Sequence, residues 1–190
     1  NMLESTYNIA KSLKKDKVVK GVFEAILADT AVKEMSKLHQ IYSGTVKFES
    51  GKSMIIDHSK GFFIKDKFEG QKIAIFYKFK EEFNLLKEVF GDLLTDDLSV
   101  FDNSNKNIAL QIVSGREGIS LANAKYLVYF NIDFSAVSYW QSRDRLTTME
   151  RTTNDVYWIF SKGGIESKIY KSVSNKKDFT LSVFKKTYND

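Results

Sequence analysis

The sequence predicts an α/β domain in which a mainly parallel central sheet carries helices on both faces, with a small β-hairpin inserted near residues 45–56. Three observations carry this expectation. Four short, continuous apolar runs lie near residues 72–77, 108–113, 126–130 and 156–160. A run without polar alternation suits a strand covered on both faces, as parallel strands are. Helical spacing of apolar residues follows the first, third and fourth runs, and strand–helix alternation is the pattern of a parallel sheet. The 190 residues suffice for one domain with a full core, not for two.

Taken in order, residues 1–18 are polar and lysine-rich and read as a frayed helix. Residues 20–43 place Val22, Phe23, Ile26, Leu27, Val32, Met35, Leu38, Ile41 and Tyr42 at mixed three- and four-residue spacing, which predicts one helix. Alternation at Val46, Phe48, Met54 and Ile56 around a Ser50-Gly51 turn predicts the hairpin. Ser59 opens a short helix with Phe62, Phe63, Ile64 and Phe68, closed by Gly70. Helices are expected over 80–90 and 135–149, and two more near 164–173 and 176–187, after Gly163-Gly164.

Composition excludes several classes. No apolar run approaches the roughly 18 residues that span a bilayer, and the start lacks a signal-peptide pattern. With no cysteine, a disulfide scaffold is excluded, and with only His39 and His58 no metal site is expected. Proline is absent, which argues against rigid linkers. One compact intracellular domain is the expectation, with a cytoplasmic location.

The 29 basic residues against 24 acids give a net charge of +5, a modest footprint that suits a solvated face as well as polyanion binding. All but four of the basic residues are lysine, and the arginines, Arg116, Arg143, Arg145 and Arg151, fall in one stretch. A local switch to the planar guanidinium fork points to phosphate or carboxylate recognition.

Ligands of open parallel sheets bind beyond the carboxyl ends of the strands. Three segments lie there: Phe76–Phe79, including Lys78; Ser114-Gly115-Arg116-Glu117-Gly118-Ile119-Ser120-Leu121; and Gln141-Ser142-Arg143-Asp144-Arg145, after Asn131-Ile132-Asp133-Phe134. Gly115 and Gly118 would let a turn expose N–H groups to phosphate, although a tight strand-to-helix turn explains them equally. Gln141 and Arg145, four apart, would share a helix face, with Asp144 at its edge; a surface ion-pair ladder is the plainer alternative. Trp140 and Trp158 are expected in packing, and His39 as a satisfied polar residue rather than a ligand.

The order of these segments resembles the C-terminal RecA-like lobe of superfamily-two helicases of the Swi/Snf type and their phage relatives, over roughly residues 38–173. Phe76–Phe79 is similar to motif IV, and Glu117-Gly118-Ile119-Ser120-Leu121 to the Glu-Gly-Ile-Asn-Leu form of motif V. Gln141-x-x-Asp144-Arg145 is similar to the first half of motif VI, and Lys162–Ile169 to the Lys-Gly-Thr-Ile-Glu-Glu-Lys-Ile stretch that follows it. His39–Gly44 resembles the start of the lobe in phage members.

The resemblance implies a three-layer RecA-like lobe that completes an ATP cleft and grips a nucleic-acid strand, with DNA favoured over RNA. It implies Arg145 and Gln141 as catalytic residues, and Arg151, one turn beyond the position of the second motif VI arginine, is the catalytic candidate for that arginine's contact. Glu117, Gly118 and Asp144 would contact ATP, and Lys78, Ser114, Gly115 and Arg116 the nucleic acid. ATP and Mg2+ would be cofactors of the intact two-lobed protein, and an N-terminal RecA-like lobe the partner. Two positions depart from the pattern: Thr148 stands where the second motif VI arginine falls, and Arg116 where many relatives have glycine. The chain holds neither a G-x-x-x-x-G-K-[ST] loop nor a DExx motif, so it is expected to hydrolyse nothing alone. A non-catalytic RecA-like module that binds nucleic acid or protein is the alternative.

Overall fold

The computed structural model describes residues 1–21, 24–113, 119–147 and 155–188. Helix α1 (Glu4–Asp16) leads into a short hairpin of β1 (Val18–Lys20) and β2 (Ala25–Leu27), followed by α2 (Ala31–Ile41). Residues 1–18, expected to fray, are instead held by burial. Ala10 and Leu13 are fully buried, and the buried Asp57 carboxylate accepts the Leu3 N–H at 2.7 Å and the Thr6 hydroxyl at 2.7 Å.

The single helix expected over 20–43 is corrected. Lys17 ends α1 in the left-handed region at φ 57°, and Gly21 N–H closes a turn on the Glu24 carbonyl at 2.8 Å. Val19 then pairs with Ile26 in antiparallel register. Helix α2 begins only after Thr30, whose side chain accepts the Lys33 N–H. Of the apolar residues that mimicked one helical face, Ile26 and Leu27 belong to β2 and Val32, Met35, Leu38 and Ile41 to α2, while Val22 and Phe23 lie outside the described residues.

The expected hairpin is present as β3 (Thr45–Lys47) and β4 (Ser53–Ile55), and α3 (Ser59–Lys67) follows. The rest of the chain builds the main sheet. In order come β5 (Ile73–Tyr77), α4 (Lys80–Phe90), β6 (Leu94–Thr95), α5 (Leu98–Asp102), β7 (Asn107–Gln111), β8 (Tyr126–Tyr129), α6 (Ala136–Arg143), β9 (Val156–Trp158), α7 (Glu166–Ser174) and α8 (Leu181–Tyr188). The five strands lie in the order β6-β7-β5-β8-β9, all parallel.

The apolar runs are continuous because both faces of the sheet are covered. Ala74, Phe76, Leu127 and Tyr129 join one core cluster with residues of α1, α2, α6, α7 and α8. Ile73, Ile75, Val128 and Phe130 join another with α3 and α4. Strand side chains alternate between faces, so the middle of such a strand is apolar at successive residues, and polar ones such as Asn107 and Gln111 sit at its ends.

The layers are tied by a buried ion pair. Lys60 Nζ, from α3, lies 2.8 Å from Glu166 Oε1 at the start of α7 and also donates to the Phe130 carbonyl at 3.2 Å. Both side chains are almost wholly buried, so their charges must satisfy each other. Among the described residues no helix is long and apolar enough to cross a membrane.

Gly44, between α2 and β3, has φ +90°, and a Cβ there would meet the Asp57 carbonyl oxygen at 2.1 Å. Its own carbonyl receives the Ile56 and Asp57 N–H groups at 2.8 and 3.1 Å. Gly44→Ala is expected to lower unfolding free energy by about 2 kcal/mol or more, the scale of a forced backbone conformation plus a clash. Urea denaturation followed by circular dichroism measures it; an unchanged midpoint would contradict the close approach.

Candidate functional site

The carboxyl ends of β5, β7 and β8 lie side by side, because these three strands are neighbours and parallel. The loop after β5 is shaped by Glu82, third residue of α4. Its carboxylate accepts the N–H of Lys78 at 2.7 Å and of Phe79 at 2.9 Å. These are donors left unpaired by the start of a helix, and Phe79 has no side-chain oxygen to take one.

The other Glu82 oxygen accepts the Asn131 amide N–H at 2.5 Å. Asn131 Oδ1 in turn accepts the Ile132 N–H at 2.8 Å and lies 2.5 Å from His39 Nε2. Since the Asn131 nitrogen is used on Glu82, its oxygen faces His39, and His39 carries its proton on Nε2. His39, Asn131 and Glu82 are all fully buried, and His39 Nδ1 has no hydrogen-bond partner.

Burial holds the His39 imidazole well below its ordinary pKa, and the Lys78 and Lys60 charges add to this against the Asn131 hydrogen bond. Burial also pushes the Glu82 carboxyl up, opposed by hydrogen bonds from Ser43, Asn131 and the Phe79 and Lys78 backbone. His39 packs between the rings of Phe79 and Phe134, at centroid distances of 5.2 and 4.9 Å. It is thus a polar residue with a partner, as expected, and it ties α2 to the sheet edge.

Lys78 is placed on this edge but has a partner inside the fold. Its ammonium pairs with the Asp133 carboxylate and lies 3.9 Å from the Phe134 ring centroid. Burial raises the Asp133 pKa, but the Lys78 charge, together with hydrogen bonds from Lys78, Phe134 N–H and Ser138, outweighs it and holds the carboxyl below its usual value. A phosphate reaching Lys78 must therefore compete with Asp133. Gln111, last residue of β7, donates to the Lys78 carbonyl at 2.8 Å and fastens the neighbouring strand. Beside this loop is a cavity of about 350 Å3, lined among others by Gln40, Lys47, Lys78, Lys80, Glu81 and Gln111.

The helix expected over 135–149 is shorter. Ser135 caps α6 by accepting the Ser138 N–H, the helix ends at Arg143, and Asp144–Leu146 form a tighter 3-10 turn. Gln141 and Arg145 therefore do not share one α-helical face. Gln141 and Asp144 are exposed and Arg145 is half-buried. The Arg145 carbonyl accepts the Leu121 N–H at 2.9 Å, which joins the segment after β7 to the turn after α6.

Arg143 has a packing role: its guanidinium lies 5.2 Å from the Trp140 ring and 6.0 Å from that of Trp158. Trp140 Nε1 donates to the Val173 carbonyl at 3.0 Å, which agrees with the expectation of packing. Ser114, Gly115, Arg116, Glu117, Gly118, Thr148 and Arg151 lie outside the described residues.

Sequence reasoning missed Glu82, Asn131, Lys60 and Glu166. One signal was legible: a glutamate three residues beyond Phe79, the residue that precedes the helix and has no side-chain oxygen to cap it. Among the described residues no group of three His, Asp or Glu side chains is placed to hold a metal ion.

No protein-family model and no curated protein matches the chain. Solved structures do. The SWI2/SNF2 ATPase core domain of Sulfolobus solfataricus superposes with a TM-score of 0.56 at 20% identity, covering 99% of this chain and 43% of that one. The fold is RecA-like. The C-terminal part of the Fun30 ATPase domain matches with a TM-score of 0.48 at 22% identity, over 63% of this chain and 43% of that one. The chain thus spans less than half the length of either structure, and at these identities the likeness is one of fold.

The neutral, buried His39 has a consequence for pH dependence. A group whose folded pKa is depressed contributes stability in full above its unfolded value, 6.5, and loses it as pH falls below that value. His39→Gln keeps a donor for Asn131 but cannot titrate. The wild type's advantage in Tm over His39→Gln is expected to shrink as pH is lowered through this range, as scanning calorimetry can measure. A constant difference would contradict the assigned neutral state.

Proposed function

We propose that the chain is the second motor lobe of a nucleic-acid-dependent ATPase, a helicase or DNA translocase of the Swi/Snf type. The observation that carries the reading is convergence. The segments that resemble motifs IV, V and VI follow three adjacent parallel strands, and the Leu121–Arg145 backbone hydrogen bond joins the second to the third. Likeness in fold to an ATPase core domain, of which the chain spans 43%, supports a half-motor that works with an N-terminal lobe.

ATP and Mg2+ are the cofactors of this reading, and when bound they supply the transferable phosphoryl group and neutralise part of its charge. Arg145, on a short turn fixed through its own carbonyl, suits a cation presented to a triphosphate held by the other lobe. Gln141, exposed on α6, suits a hydrogen bond in the same cleft. Lys47, Lys78 and Lys80 beside the cavity after β5 suit the backbone of one nucleic-acid strand. Arg151, Glu117, Gly118, Asp144, Ser114, Gly115 and Arg116 keep the roles that the sequence resemblance implies, and DNA is the favoured nucleic acid.

Two measurements test the reading. The 190-residue chain alone is expected to show no ATP turnover above background, with or without DNA, because it holds no phosphate loop or acidic motif. In a two-lobed protein containing it, Arg145→Ala is expected to lower turnover by about a thousandfold at saturating ATP and DNA, with much less effect on nucleotide affinity. Arg145→Lys should restore little, since a point charge does not reproduce the planar fork. Robust hydrolysis by the chain alone, or full turnover by Arg145→Ala, would refute the motor reading.

A further inference from the structure

A second positively charged surface lies away from the residues discussed so far. A groove of about 800 Å3 runs between α7 and α8, and its lining includes Lys168, Lys171, Lys177, Lys186, Ser172 and Asn175. These lysines come from α7, from the connector after it and from α8, and no acidic side chain lines the groove. The cavity after β5, by contrast, mixes its lysines with Glu81. The two share no lining residue.

Lys171, Lys177 and Lys186 are exposed, and among the described residues no carboxylate forms an ion pair with them. Among the described residues, the acids nearest in sequence, Glu166 and Asp178, are engaged elsewhere, and Asp190 lies outside the described residues. Glu166 is buried against Lys60, and Asp178 accepts the Ala136 N–H at 2.8 Å. Lys168 bridges the two helices by donating to the Thr187 carbonyl. Positive charge extends towards α1: Lys14 has a lowered pKa, through burial first and then repulsion from Lys168.

Complementing a helix dipole explains one lysine at the end of α7 or α8, but not four converging on one groove without a carboxylate. Such a surface concentrates polyanions. The hydroxyl of Ser172 and the amide of Asn175 add polar groups of the kind that contact phosphate oxygens.

We propose that the groove between α7 and α8 is a binding site for the phosphodiester backbone of nucleic acid, separate from the carboxyl edge of the sheet. The inference does not rest on ATP hydrolysis. The connector that carries Lys177 is fastened to the start of α6 by the Asp178–Ala136 bond and by the Phe179 N–H on the Phe134 carbonyl at 2.8 Å. A strand held in the groove is therefore held on the same body that presents Gln141 and Arg145.

The test is fluorescence anisotropy of labelled duplex and single-stranded DNA with the 190-residue chain, between about 50 and 200 mM salt. Binding is expected to be independent of sequence and steeply dependent on salt. The triple variant Lys171→Gln, Lys177→Gln, Lys186→Gln should bind about tenfold or more weakly at the low-salt end, with the log–log slope on duplex shallower by about 0.9 for each phosphate no longer neutralised. The corresponding lysine-to-arginine triple should retain binding. Circular dichroism melts confirm that each variant folds, and these exposed positions leave the core untouched.

A glutamine triple that binds like the wild type, while Lys47→Gln with Lys80→Gln abolishes binding, would overturn this inference and leave the proposed function standing. Absence of binding by the wild type would overturn it as well. Inorganic tripolyphosphate that displaces DNA at equal phosphate concentration would assign the groove to small polyphosphates. Binding to phosphatidylserine vesicles but not to DNA would assign it to a membrane surface. Either result would refute the nucleic-acid site.

Discussion

Everything at the carboxyl edge of the sheet depends on a buried relay of polar groups, His39–Asn131–Glu82. A polar atom removed from water must find a partner inside the protein, and leaving one unpaired costs about 1–3 kcal/mol. Here the requirement is met in series for all but His39 Nδ1: the imidazole Nε2 of α2 is matched to the Asn131 amide after β8, and that amide to the carboxylate of α4. The carboxylate then holds the backbone of Lys78 and Phe79. Three separate stretches of chain are forced into one arrangement, so the loop after β5 and the segment leading to α6 have a defined mutual position. The Lys60–Glu166 pair does the same for α3 and α7 around the end of β8.

The sheet was legible in the sequence, and the relay was not. Strands buried on both faces write themselves as unbroken apolar runs, and the helix expected over 80–90 coincides with Lys80–Phe90. The expectation failed where neighbouring short elements add up to a false period, as Ile26, Leu27 and Met35 do across a hairpin strand and a helix. It failed again at β6 and α5, too short to show a period, and at α6, which ends where the Arg145 carbonyl receives a distant N–H. The helix expected from Ser59 is present, but two of its aromatic residues, Phe62 and Phe63, are 52% and 53% exposed.

The candidate site divides along the same line. The order of its segments along the chain was readable, and so was their gathering at one edge, because parallel topology requires it. The partners of each side chain were not. His39 and Asn131 are 92 positions apart, and Lys60 and Glu166 are 106 apart. No local pattern marks such pairs, and only a folded chain shows that Lys78 faces Asp133. A RecA-like fold by itself serves many activities, so the functional reading leans on where these side chains converge rather than on the architecture.

The aromatic packing around Arg143 has an optical consequence. The chain has two tryptophans, Trp140 on α6 and Trp158 on β9, and the same guanidinium lies over both. Trp158 stacks on Tyr129 with their planes 8° apart, and Trp140 reaches Val173 of α7 through its ring N–H. All indole emission of the protein therefore originates on one side of the sheet, next to Gln141 and the turn that carries Arg145. Unlabelled protein carries its own reporter there: a shift of α6 against β9 changes the quenching and polarity that both indoles experience, while movements of the two hairpins before α3 stay dark.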